Sequence, residues 1–295
     1  MHVLNGHRDS VYAIQSGRNA SEVYSAGGDG MIVQWNLKQP ETGELIAKLP
    51  NSIYALHYIH KQGKLIAAQN FEGIHLIDIG QRKELVSLKL PRSYIFDMAT
   101  HNQQIFVACG NGMVLVIDST TWQILKRLDF SKSSARTIAM CEEKGEFAVG
   151  YSDNFIRIFD LDTGTMKQEW LAHDNSVFTL RYNQNSQYLL SGSRDAKLKV
   201  WNADGRYALE QEIVAHMYTI NHIAFSPDGK HFVTCSTDKS IKVWDSQEYK
   251  LLKVIDKARH AGHGTSVNKL AWTTFNNQLV SASDDKTLSV WDIIF

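Results

Sequence analysis

At 295 residues, with 43% hydrophobic and 21% charged residues, the chain has the composition of a globular protein with a substantial core. Lys plus Arg equals Asp plus Glu, 31 against 31, so no overall positive field favours a nucleic-acid or anionic-membrane partner. The chain carries no apolar signal region at its start, no apolar run long enough to span a bilayer, and no metal-type spacing among Cys109, Cys141 and Cys235. We therefore expect a cytoplasmic protein with reduced, buried cysteines.

Short stretches in which apolar and polar residues alternate, a pattern typical of β-strands, run through the sequence. A strand that ends in Trp-Asp, or in a substitute for that pair, returns at spacings of 42, 40, 42, 42, 43 and 47 residues. A period of about 40–45 residues indicates a repeat protein. The seven copies of this strand end at Trp35-Asn36, Ile77-Asp78, Ile117-Asp118, Phe159-Asp160, Trp201-Asn202, Trp244-Asp245 and Trp291-Asp292.

Four copies share a register of four residues. Counted back from the Trp, an Asp lies six residues earlier, a Ser or Thr ten earlier and a His 28 earlier. Four independent occurrences of one register do not arise by chance. The sets are His7, Ser25, Asp29 and Trp35; His173, Ser191, Asp195 and Trp201; His216, Thr234, Asp238 and Trp244; and His263, Ser281, Asp285 and Trp291.

The second, third and fourth copies depart from this register. They carry Ile77, Ile117 and Phe159 at the Trp position, and none has a His near the 28-residue offset. The turn acid survives as Asp153 in the fourth copy and is Asn111 in the third. Drift towards apolar packing is the favoured interpretation, and specialisation for a partner or for local mobility stays open.

Each copy reads as four strands. In the sixth copy they are predicted over 219–226, 231–236, 240–245 and 250–255, with Ser226-Pro227-Asp228-Gly229 as a turn after the first. Large rings recur at the end of the first strand, 19 residues before the Trp position, and predict packing between neighbouring copies. These rings are Tyr58, Tyr182, Phe225 and Trp272.

These features resemble the WD-repeat (WD40) family, whose Gly-His and Trp-Asp signatures are matched by Gly6-His7, Gly262-His263 and the strand ends above. The resemblance covers the whole chain. It implies an all-β fold, a single closed seven-bladed β-propeller over residues 1–295. It also implies that the N-terminal strand, residues 1–4, completes the last blade beside 288–293, which removes two exposed sheet edges.

In that family the matching Trp, Ser or Thr, His and Asp form a buried hydrogen-bonded tetrad within each blade. A Ser, a His and an Asp together also suit a hydrolase, but an active site needs one copy, whereas a structural bond is useful in every blade. We therefore expect structural tetrads, no catalytic residue and no cofactor. No metal site is expected either, because His260 and His263 alone do not supply the three or four ligands of zinc.

Family members often bind partners through residues just before the innermost strand and just before the turn acid. At these positions the chain carries Arg8, Phe71, Arg92, Tyr94, Lys132, Arg194, Met217 and Asp284. Arg, Tyr and Met are enriched at protein interfaces. The basic members, Arg8, Arg92, Lys132 and Arg194, suit an acidic peptide.

We expect a non-catalytic scaffold or adaptor that binds proteins or peptides and is monomeric by itself. A first alternative is a hydrolase or lyase that works in the propeller channel, which requires converging acids, bases or a metal. A second is a module that recognises a small ligand or a nucleic acid, which requires a strongly basic or aromatic face. Neither the partner nor the pathway is encoded in a motif.

Overall fold

The computed structural model describes residues 1–59 and 62–293, which are mostly β-strand joined by tight turns. The first half of the chain contains β1 (His2–Asn5), β2 (Val11–Ser16), β3 (Glu22–Gly27), β4 (Met31–Asn36), β5 (Gly43–Lys48), β6 (Ile53–Ile59), β7 (Lys64–Gln69), β8 (Gly73–Asp78), β9 (Lys83–Lys89), β10 (Ile95–His101), β11 (Gln104–Cys109), β12 (Met113–Asp118), β13 (Ile124–Asp129) and β14 (Ala135–Cys141).

The second half contains β15 (Glu146–Tyr151), β16 (Phe155–Asp160), β17 (Met166–Leu171), β18 (Val177–Tyr182), β19 (Tyr188–Ser193), β20 (Lys197–Asn202), β21 (Ala208–Val214), β22 (Ile220–Phe225), β23 (His231–Ser236), β24 (Ile241–Asp245), β25 (Leu251–Ile255), β26 (Val267–Trp272), β27 (Gln278–Ser283) and β28 (Thr287–Asp292). A 3-10 helix (Glu142–Lys144) and a single turn of α-helix, α1 (Lys257–His260), interrupt this pattern.

The described strands form seven four-stranded sheets. Six consist of consecutive strands: β2–β5, β6–β9, β10–β13, β14–β17, β18–β21 and β22–β25. The seventh has the order β1-β28-β27-β26, so the first strand of the chain joins the last three. In the antiparallel β1–β28 pair Leu4 lies opposite Leu288, and Leu4 is 1% exposed. The prediction that the N-terminal strand completes the last copy is confirmed.

The turn between the second and third strand of a sheet explains the recurrent Asp. In the first sheet the Asp29 carboxylate accepts a hydrogen bond from the Met31 backbone N–H at 3.0 Å, which stabilises the tight turn. The intervening Gly30 has φ 69°, and a Cβ there would lie 2.0 Å from the Leu49 carbonyl oxygen. In the second sheet, which lacks the Asp, Phe71 itself takes the left-handed conformation with φ 67°.

The chain divides into two compact units. The first comprises Met1–Arg92 and Ala224–Phe295. Within it β2 packs against β6 and β26. Tyr24 and Tyr58, from neighbouring sheets, stack with ring centroids 5.8 Å apart, as the recurrent large rings predict.

The second unit comprises Ser93–Ile223, and in it β14 contacts both β10 and β18. Three phenylalanines cross its core, with ring centroids 5.0 Å apart for Phe106 and Phe147 and 5.1 Å for Phe147 and Phe159. Phe159 stands at the Trp position and is fully buried. Apolar packing therefore fills this position in the fourth sheet without an indole.

Candidate functional site

The sheet β18–β21 shows how the recurrent Trp, Ser, His and Asp are connected. The Trp201 indole N–H donates to Ser191 Oγ at 2.8 Å, and Ser191 Oγ lies 2.7 Å from His173 Nε2. His173 Nδ1 lies 2.9 Å from Asp195 Oδ2. The same carboxylate oxygen accepts the Asp174 backbone N–H at 3.0 Å. The four side chains thus link two strands to the loop that precedes the innermost strand.

The first and seventh sheets repeat this geometry. The Ser-to-His distances are 2.7 Å for Ser25 and His7 and 2.8 Å for Ser281 and His263. The corresponding His-to-Asp distances, to Asp29 and Asp285, are 3.0 Å and 2.9 Å, and Trp35 and Trp291 each donate to their Ser at 2.8 Å. In the sixth sheet Trp244 donates to Thr234 at 2.9 Å, His216 is 4% exposed, and Asp238 accepts the Ser240 N–H at 2.9 Å.

The hydrogen bonds determine which nitrogen of His173 carries the proton. An indole N–H can only donate, so the Ser191 oxygen accepts from Trp201 and its own hydroxyl donates to His173 Nε2. The His173 proton therefore lies on Nδ1 and is donated to Asp195. Burial lowers the pKa of His173 below 6.5 against the opposing effect of Asp195. Burial raises the pKa of Asp195, but the hydrogen bonds from His173 and the backbone outweigh it and hold that pKa at about 2.

The tetrads are poorly suited to hydrolysis. Ser25, Ser191, Thr234 and Ser281 have no exposed surface. A nucleophile must lie within reach of its substrate. Each of these hydroxyls also accepts an indole N–H, so the arrangement closes a buried network.

The fourth sheet replaces the tetrad with charged residues. Ser131, at the position of the tetrad His, donates to Asp153 Oδ2 at 2.7 Å. Arg157, only 7% exposed, contacts Asp153 at 2.9 Å and donates through Nε to Glu169 Oε2 at 2.8 Å. The turn acid predicted at Asp153 is thus held by an arginine.

The other two divergent sheets have different polar contacts. In the third, the Asn111 side chain accepts the Met113 N–H at 3.2 Å. In the second, the buried His75 Nδ1 lies 3.3 Å from Glu84 and 3.2 Å from Ser87 on the outer strand. No tetrad was predicted for either copy.

The predicted binding residues of the first unit differ in exposure. Arg8 and Arg92 are exposed, and the Arg92 guanidinium lies 5.9 Å from the centroid of the half-buried Phe71 ring. Asp284 is half-buried and accepts from Asn268 Nδ2 at 2.8 Å. Asp284 therefore orders its own loop.

The predicted binding residues of the second unit are all exposed. Tyr94 is 45% exposed and stacks on Phe96 at 5.6 Å, while Met217 is 78% exposed. Lys132 forms an ion pair with Asp129 at 3.0 Å. The exposed Arg194 is fixed through its backbone N–H, which donates to a carbonyl at 3.0 Å.

A further set of residues was missed at the sequence level. In six sheets a β-bulge interrupts the first pairing of the innermost strand, at its second residue. The Arg136 guanidinium carbon lies 4.2 Å from the Phe96 ring centroid and 4.7 Å from that of Phe178. The signal was the recurrence of an aromatic residue one position after the first buried residue of the strand. The bulge residues are Tyr12, Tyr54, Phe96, Arg136, Phe178 and Asn268.

Residues 1–59 and 62–293 contain neither a cluster of metal-ligating side chains nor a helix that could span a membrane. No three His, Cys, Asp or Glu side chains there are grouped so as to hold a metal ion. Nor is any helix of this part of the chain long and apolar enough to cross a membrane.

Comparison with protein families gives a match to the WD domain, G-beta repeat, at residues 1–36, 164–202, 208–245 and 255–292, more than half of the chain. The chain belongs to the WD40 repeat family. Each of the four matched segments ends at the Trp-Asp or Trp-Asn pair of a copy that carries a tetrad. Residues 37–163, which the WD40 match does not reach, include the three divergent copies.

The curated relatives that are similar to this chain are much longer than it is. Human striatin is 22% identical over 71% of the chain, and a striatin homolog from Dictyostelium discoideum is 20% identical over 70%. The mouse intraflagellar transport protein 80 homolog is 27% identical over 63%. The matched regions span less than a third of each relative, 30%, 22% and 25% respectively.

The crystal structure of the WD40 β-propeller domain of Doa1 superposes with a TM-score of 0.86 at 15% identity, over 98% of this chain and 95% of that one. Together with the seven sheets, this likeness confirms the predicted fold class. The chain is an all-β, seven-bladed β-propeller, and each sheet described above is one blade.

Proposed function

We propose that this chain is a non-catalytic protein-interaction module of the cytoplasm, monomeric by itself, that binds partner proteins or peptides through the loops preceding its innermost strands. The main support is the exposure of interface-type side chains on these loops. Tyr94, Met217 and Tyr218 are 45%, 78% and 60% exposed. Large apolar side chains exposed beside arginines are typical of protein-binding surfaces.

The absence of catalysis is supported by the state of the tetrads. Their hydroxyls are buried and already bonded, so the recurrent Ser, His and Asp serve the blades. The free, buried cysteines Cys109, Cys141 and Cys235 suit a reducing compartment.

Affinity capture from the native source tests the proposal. We expect the double variant Arg92→Glu/Arg194→Glu to lose proteins that the unaltered chain captures, because it reverses two charges on the loops. Bound proteins are identified by mass spectrometry. The matched control is Arg127→Glu/Arg206→Glu, which changes the charge equally at exposed positions on the outer strand β13 and in the β20–β21 turn.

Partners lost by the loop variant and kept by the control support the proposal. Equal retention by both variants, each shown by circular dichroism to be folded, contradicts binding through these loops. If the unaltered chain captures no protein reproducibly, the proposed interaction function is contradicted.

A further inference from the structure

A row of four side chains runs along the starts of three neighbouring inner strands in the second unit. Tyr94 stacks on Phe96 with centroids 5.6 Å apart, and Arg136 lies between Phe96 and Phe178. We call Tyr94, Phe96, Arg136 and Phe178 the aromatic row. Its members are half-buried except for Tyr94, which is exposed.

The two rings hold the arginine in place. The guanidinium carbon lies 4.2 Å and 4.7 Å from the two ring centroids, within the range of cation–π attraction. Arg136 Nε also donates to Ser152 Oγ at 2.9 Å. An arginine ordered in this way loses less conformational entropy on binding than a flexible one.

Hydrogen bonds within and between adjacent blades make the base of the row continuous. The Gly110 N–H donates to the Tyr94 carbonyl at 2.8 Å, and Ser134 Oγ donates to the Gly110 carbonyl at 2.8 Å. The Ser152 N–H then donates to the Ser134 carbonyl at 2.9 Å.

The same pattern extends the base to Arg194. Ser176 Oγ donates to the Ser152 carbonyl at 3.4 Å, and the Arg194 N–H donates to the Ser176 carbonyl at 3.0 Å. Tyr94, Arg136 and Arg194 therefore stand on one hydrogen-bonded frame.

Nearby carboxylates are engaged by the protein itself. Asp97, next to the row, is 9% exposed and accepts from Thr137 Oγ1 at 3.1 Å and the Ile138 N–H at 3.0 Å. Asp174 is exposed but forms an ion pair with Lys197 at 3.1 Å. Arg136 and Arg194 place two guanidinium groups on this frame, beside the exposed ring of Tyr94.

We infer that the aromatic row binds a short acidic segment of a partner protein, in which a carboxylate meets the edge of Arg136 and an adjacent large apolar side chain packs on Tyr94. The inference rests on the proposed interaction function and adds the chemistry of the partner. Arginine donates two parallel hydrogen bonds to a carboxylate, which fixes orientation as well as charge. The aromatic faces supply the apolar contact.

The probe is a phage-displayed library of random dodecapeptides selected against the full chain. We expect the selected peptides to be enriched in Asp or Glu next to Leu, Met or an aromatic residue. A fluorescent peptide with the consensus sequence, measured by anisotropy, should bind Arg136→Gln about tenfold or more weakly, because a charge-assisted hydrogen bond is lost. Arg206→Gln removes the same charge from the β20–β21 turn and should leave binding unchanged.

Two further variants keep the test decisive. Arg136→Lys retains the charge but not the planar fork, and should also bind more weakly. Tyr94→Ser tests the apolar contact at an exposed residue and serves if Arg136→Gln does not fold. Weakening by added salt is expected for an acidic ligand.

Selected peptides without acidic enrichment, or equal binding by the Arg136 and Arg206 variants, would overturn the inference. Selection of no peptide would overturn it as well. Because affinity capture reports on whole partners, these failures leave the proposed interaction function standing unless that experiment fails too.

Discussion

Each of the tetrad serines Ser25, Ser191 and Ser281 bonds two buried nitrogen atoms at once. Ser191 accepts from Trp201 and donates to His173, and it has no exposed surface. A buried donor or acceptor left without a partner costs about 1–3 kcal/mol. The serine hydroxyl therefore contributes more to the free energy of unfolding than a single ordinary hydrogen bond does.

Ser191→Ala is expected to lower the free energy of unfolding by about 2–4 kcal/mol, because two buried nitrogens lose their partner. Urea unfolding followed by tryptophan fluorescence measures the change. Thr42→Ala removes a hydroxyl from an exposed residue just before β5 and should cost less than about 0.5 kcal/mol. Equal stability of the two variants would contradict a stabilising role for the tetrad.

At the scale of residues, the roles of some side chains could be predicted from the sequence and those of others could not. The tetrad sets could be predicted because the side chains that meet recur at fixed spacing in four copies. Arg157 and Arg136 could not, because a charged residue in a strand is normally assigned to solvent. Whether it turns inwards depends on neighbours such as Glu169 and Phe178, which the spacing does not place.

At the scale of elements, β1 belongs to the last blade although it lies at the start of the chain. Its side chains alternate as in other half-buried strands, with Leu4 at 1% exposed and Val3 at 44%. Leu4 packs in a cluster with Trp35 and Val290. This strand therefore contributes to the core of the seventh and first blades, both in the first unit.

Leu4→Ala should destabilise the protein by about 2–4 kcal/mol, since it leaves a cavity in the core. Val3→Ala, one residue away on the exposed face, is the matched control and should cost less than about 1 kcal/mol. Thermal unfolding of both variants provides the measurement. A comparable loss in the two would show that β1 is not packed against the core.

Strands and turns could be predicted from the sequence for simple physical reasons. Alternation sets which residues of a strand face the core, and Asp followed by a left-handed residue sets the tight turns. The β-bulges at Tyr12, Phe96 and Arg136 were missed, because the extra residue shifts the alternation and a period of two then fits only part of so short a strand. The positions that form the aromatic row were missed for this reason.

At the scale of the whole molecule, the seven blades raise the question of how many units unfold separately. We propose that residues 1–295 form one domain, as the repeat pattern predicts. One of the two chain boundaries between the compact units falls between Ile223 and Ala224, inside β22. Unfolding one unit alone would break a single strand in its middle and leave backbone groups without partners.

The expected outcome is one transition. Unfolding in urea, followed by far-ultraviolet circular dichroism and by tryptophan fluorescence, should give coincident curves. The Leu4→Ala variant sharpens the test, because the substitution lies in the first unit while β15 and β19 lie in the second. Hydrogen exchange by mass spectrometry should then show the loss of about 2–4 kcal/mol in β15 and β19 as well as in β28. Protection lost only in strands of the first unit, or two separate transitions, would mean that the units are independent domains and that the single-domain proposal is wrong.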